Sequence, residues 1–83
     1  VKEVHSRLKV LVADKELRER RTIGVRVAAR ESGASISTVT RLMNDSIKRV
    51  PLDDLGRLCR WLGCEVGDIL QMRDYDESET VSA

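Results

Sequence analysis

The sequence predicts an all-α domain, four or five short helices around one core, on three observations. Apolar residues recur at helical spacing in consecutive short stretches. Gly33, Pro51 and Gly63 fall between those stretches, where helices stop or start. The chain of 83 residues, 41% apolar and 35% charged, has the size and balance of one soluble domain. With one Trp, one Tyr and no Phe, its core must be aliphatic. The same scarcity removes the aromatic platforms on which single-stranded nucleic acids stack.

The first element covers Ser6 to about Arg20, which holds helix formers and no Gly or Pro. Two apolar sets overlap there: Leu8, Leu11 and Val12, or Val10, Ala13 and Leu17. "RLKVLV" also alternates as a strand would, so residues 1–12 are open to either reading, including a strand that pairs across a dimer. "RERRTIG" is polar and basic, and Gly24 closes it as a connection.

"VRVAARESG" predicts a second helix with Ala28 and Ala29 inward and Gly33 as its terminator. Two alanines let a neighbouring helix approach closely. Ser35 is an N-cap candidate for the next helix, its oxygen free to accept an orphan N–H. Two short helices joined by a tight turn containing Gly form a helix-turn-helix layout, here over about residues 24–44.

At about 100° per residue, Val39, Leu42 and Met43 fall in one stripe of the third helix, with Ile36 at its edge. Ser37 and Arg41 point the opposite way, flanked by Thr38, Thr40 and Asn44. This face carries small hydroxyl residues and one arginine, where solvated faces elsewhere carry Glu and Lys. A helix that enters a narrow, negatively charged groove needs such a face.

"NDSIKRV" is a polar, basic loop, and Pro51 opens the fourth helix where its missing N–H costs nothing. Asp53 and Asp54 suit that helix's positive end. Leu55, Leu58, Cys59 and Leu62 line its inner face, and Gly63 ends it. Trp61 lies beside that stripe, as a core-margin or interface residue. Val66, Ile69 and Leu70 mark a short fifth helix. The domain is expected to cover residues 1–73, and residues 74–83 to form a disordered acidic tail.

Charge is unevenly divided. Residues 1–50 hold 12 basic and 6 acidic side chains, and residues 51–83 hold 3 and 8. The basic half suits an anionic partner. Cys59 and Cys64 read as buried reduced thiols in a cytoplasmic protein. With one His far away at position 5, no metal site, cofactor or catalytic constellation is expected. No run is long and apolar enough for a membrane span.

"SGASISTVTRLMND" and "VPLDDLGRLCRWLGCEVGDIL" together resemble the lambda-repressor-like, or XRE, helix-turn-helix family over about residues 23–72. Its members commonly show Gly, one residue, then a helix reading roughly S-x-S-T-[IV]-[ST]-R-L. Ser35, Ser37, Thr38, Val39, Thr40, Arg41 and Leu42 match, with Asn44 following. The Leu-Cys, Leu-Gly-Cys and Gly-Asp-Ile-Leu pieces are similar to one bacterial branch. Where the family often has Ser or Thr followed by Gln to hold a phosphate, this chain has Gly24 and Val25. Arg26 or the "RERR" run would have to substitute.

The resemblance implies a sequence-specific transcriptional regulator that binds a double-stranded DNA operator, probing the major groove with residues 35–44. Ser35, Ser37, Thr38, Thr40 and Arg41 would meet bases or the groove. Arg26, Asn44, Lys48 and Arg49 would meet phosphates. Two copies are expected on a two-fold operator, as a homodimer. The alternative is an antitoxin-like interaction module that binds a protein partner through Val27, Trp61 or the acidic tail.

Overall fold

A computed structural model describes residues 2–74. In chain order the elements are strand β1 (Lys2–Ser6), helices α1 (Leu8–Glu19), α2 (Val25–Ser32), α3 (Ile36–Met43), α4 (Leu52–Leu62) and α5 (Val66–Ile69), and strand β2 (Leu70–Asp74). The five helices confirm the mainly helical class. The strands form one antiparallel pair, with Lys2 opposite Asp74 and Ser6 opposite Leu70.

That pair adds to the helical class and decides between the two readings of the N-terminus. Residues 2–6 are a strand, and it pairs within its own chain. Helix begins only at Leu8, whose N–H donates to Ser6 Oγ at 3.2 Å. The Arg7 N–H continues the pairing by donating to the Ile69 carbonyl at 2.7 Å. The fifth helix is a single turn, and Leu70 leaves it to open β2. Asp74, expected in the tail, is the last residue of that strand. The rest of the expected tail, residues 75–83, lies outside the described residues.

Packing decides between the two apolar sets of α1. Leu8 and Val12 are fully buried, whereas Val10 and Leu17 face solvent. They meet Ile23, Ala28, Ala29, Ala34, Val39, Leu42, Leu55, Leu58, Leu62 and Ile69 in one aliphatic core. Leu42 is the kind of residue whose truncation to Ala costs about 2–5 kcal/mol. Ala28 and Ala29 are inward as expected, and α2 packs chiefly against α3.

The turn between α2 and α3 depends on two local devices. Gly33 adopts φ +84°, a left-handed conformation that glycine takes without a Cβ penalty, and donates its N–H to the Ala29 carbonyl at 2.9 Å. Ser35 then caps α3, accepting the Thr38 N–H at 3.1 Å. Pro51 stands at the N-cap of α4 and accepts the Leu55 N–H at 3.0 Å. No helix among the described residues is long and apolar enough to cross a membrane.

Candidate nucleic-acid interface

Val39 and Leu42 anchor α3 in the core, and Met43 packs at the core's edge. The opposite side is thereby presented outward. Ser35, Ile36, Ser37, Arg41 and Asn44 are exposed there, and Thr40 is half-exposed. Ile36 was expected at the margin of the apolar stripe but is 48% exposed, beside Ser37 and Thr40. Its carbonyl accepts the Thr40 hydroxyl at 2.8 Å.

Thr38 departs from the sequence reading. It is buried, and its hydroxyl donates to Asp54 Oδ2 on α4 at 2.8 Å. Ser35 Oγ donates in turn to Thr38 Oγ1 at 3.1 Å, and Arg57 reaches Asp54 Oδ1 at 3.2 Å. Thr38 is thus part of the fastening between α3 and α4 and offers no outward hydroxyl. A buried carboxylate needs donors to remain charged. Here the Thr38 hydroxyl, then the Ser35 backbone and Arg57, hold the Asp54 carboxyl below its usual range despite its desolvation. Periodicity carried no signal for this pair, because the two residues lie on different helices.

The segment after α3 is also fixed from outside the helix. Asp45 adopts φ +55°, uncommon for a residue with a side chain. Its Oδ1 accepts the Ser6 N–H at 2.7 Å, and its Oδ2 lies 3.8 Å from His5 Nδ1. Strand β1 therefore holds the loop that carries Lys48 and Arg49. Ser35, Ser37, Thr38, Arg41, Ile47, Arg49, Val50 and Pro51 line one open concavity beside α3. Arg26, Asn44 and Lys48 are exposed but do not line it.

Arg26, Arg41, Lys48 and Arg49 take part in no ion pair among the described residues. The "RERR" run behaves otherwise. Arg18 pairs with Asp14, and Arg21 pairs with both Glu19 and Glu31. Two of its arginines are thus occupied. Trp61 is occupied too, its indole N–H donating to Glu31 Oε1 at 3.2 Å and Lys15 Nζ standing 5.1 Å over its ring. Val27 packs against the core. Among the described residues no cluster of His, Cys, Asp and Glu could hold a metal ion.

The site thus combines a capped, core-anchored helix behind a glycine turn with an exposed, mainly small-polar face and, after it, cations unpaired among the described residues. A family model, the Cro/C1-type HTH DNA-binding domain, matches residues 7–74. The chain belongs to that family. This is the lambda-repressor-like kinship implied by the Ser35–Leu42 motif, now extended across α1 and β2. No curated protein and no solved structure matches the chain. The matched region covers α1 to β2, and β1 precedes it.

Proposed function

We propose that this Cro/C1-type domain is a sequence-specific regulator of transcription that lays α3 in the major groove of double-stranded DNA. The observation that carries the reading is the contrast on α3: apolar residues sunk in the core, and an outward face of short side chains around an uncompensated Arg41. Short side chains let a helix sit deep enough for backbone-proximal groups to reach base edges. Arg41 forks onto guanine O6 and N7, or clamps a phosphate. Ser35 and Ser37 offer hydroxyls, while Ile36 and the Thr40 methyl meet thymine methyls.

Lys48, Arg49, Arg26 and Asn44 contact phosphates around the groove, which positions the domain without reading sequence. A second copy places a second α3 about one helical turn away on a two-fold operator. Bound there in the cytoplasm, the dimer blocks or recruits polymerase.

The test is fluorescence anisotropy with a duplex chosen by selection from random DNA, titrated with salt. Affinity should fall steeply, with a log–log slope of about −0.9 for each phosphate neutralised. Arg41→Ala should cost about 1–3 kcal/mol and relax preference at one base pair if it reads guanine, or flatten the slope by about one if it clamps phosphate. Salt-independent or undetectable binding at low ionic strength would sink the reading and turn attention to a protein partner.

A further inference from the structure

We propose that Cys59 and Cys64 form a redox-responsive dithiol, which a peroxide-class oxidant closes into an intramolecular disulfide across the junction of α4 and α5. The backbone brings the two residues together. Gly63, at φ +70°, turns the chain out of α4. The carbonyl of Cys59 accepts both the Gly63 N–H at 2.8 Å and the Cys64 N–H at 3.0 Å. A helix ending of this kind brings the residue after the glycine onto the residue five before it, and an apolar contact usually fills the space. Here two cysteines occupy those two positions. The native turn itself supplies the proximity that a disulfide needs.

Both residues are free thiols, packed at the edge of the core and only half-buried, so a small oxidant can reach them. Neither lies on α3 or in the loop after it. Burial, followed by the adjacent Cys59 sulfur, pushes the Cys64 thiol up to about 11, which keeps it protonated at neutral pH. In the proposed order the Cys59 sulfur, on α4, attacks first. Its thiolate cleaves the O–O bond of hydrogen peroxide, giving a sulfenic acid and releasing hydroxide, which leaves as water. The Cys64 sulfur then attacks that sulfenic sulfur, loses its proton, and expels the second water. Two thiols and one peroxide yield one disulfide and two waters, with two electrons passing from sulfur to oxygen.

The experiment treats the reduced full chain with increasing hydrogen peroxide and reads tryptic peptides by mass. Cleavage at Arg57, Arg60 and Arg73 separates the two cysteines, so the disulfide joins peptides 58–60 and 61–73 at a mass two hydrogens lower. A thiol reductant should release them. In Cys64→Ser, oxidation should stop at a sulfenic acid on Cys59 that dimedone traps. Phenylarsine oxide, which bridges neighbouring thiols, should add once to the reduced wild-type chain. Independent sulfinic acids on both sulfurs, disulfides only between chains, or failure of the arsenical to bridge would each overturn the proposal.

Discussion

Two faces of this domain treat their charges in opposite ways. On the side formed by α1, α2 and the end of α4, Lys15, Glu19, Arg21, Glu31 and Trp61 are joined in one network, and Arg18 pairs separately with Asp14. The Arg21 guanidinium holds Glu31 through two contacts of 2.6 Å. On the side formed by α3 and the following loop, Arg41, Lys48 and Arg49 stand exposed with no ion pair among the described residues. Paired charges have little left to offer a partner, whereas unpaired cations attract any polyanion that approaches. The difference separates chemically similar residues by their surroundings. Arg20, Arg26 and Arg60 are also exposed without an ion pair among the described residues, so it is the grouping of Arg41, Lys48 and Arg49 on one side that sets this face apart.

The largest effect that sharpens this comparison is expected from Ser37→Ala with Arg41→Ala. Operator affinity should drop by at least ~100-fold, as the loss of one bidentate base contact and its neighbour implies, with the melting temperature unchanged. A melting temperature that fell together with the affinity would mean that the outward face supports the fold. Next comes Thr38→Val, which removes a donor from the buried Asp54 and should destabilise the domain by about 1–3 kcal/mol, read by denaturant unfolding.

The same fastening makes a pH prediction. The carboxyl of Asp54 titrates lower in the folded chain than in the unfolded one. Its contribution is therefore complete above the ordinary carboxylate range, and it fades as pH falls through about 4 and below. Wild-type stability should drop there, and Thr38→Val should show a shallower drop. Equal acid sensitivity in the two proteins would count against the Thr38–Asp54 bond.

Lys48→Ala and Arg49→Ala should each weaken DNA binding with little regard to sequence and reduce the salt slope by about one. Smallest is Arg21→Ala on the paired face. It should lower the melting temperature slightly and leave DNA affinity where it was. If it weakened binding as much as Arg49→Ala, the contrast between the faces would fail.

The helices that carry the candidate interface were legible in the sequence because their signals are local. Gly33, Ser35, Pro51 and Gly63 punctuate the chain by backbone rules, and Val39, Leu42, Leu55, Leu58 and Leu62 keep helical spacing. The strands were legible only in part: a strand was one of two open readings for residues 1–12, and β2 left no signal. Each is short, exposed along most of its length, and paired with the far end of the chain, so no alternation recorded a buried face. The two apolar sets of α1 could be separated only by the packing of Leu8 and Val12.

Within α3 the errors came from the same source. Thr38 and Ile36 exchanged their expected places because Asp54, fifty-fourth in the chain and on another helix, draws Thr38 inward. Asp45 was missed as well, since its partner, the Ser6 N–H, belongs to a strand that periodicity did not reveal.

The pairing of Lys2 with Asp74 has a further consequence. The first and last described residues of this domain are neighbours, so residues 2 and 74 share one corner. A pull on both ends unzips β1 from β2 before it loads any helix. During synthesis the ribbon cannot close until residue 74 has left the ribosome, so helices α1 to α4 can assemble first and wait for it. Through the Ser6–Asp45 bond, that last closure also reaches the loop carrying Lys48 and Arg49. The domain would then finish its candidate DNA-facing loop only when its two ends have found each other.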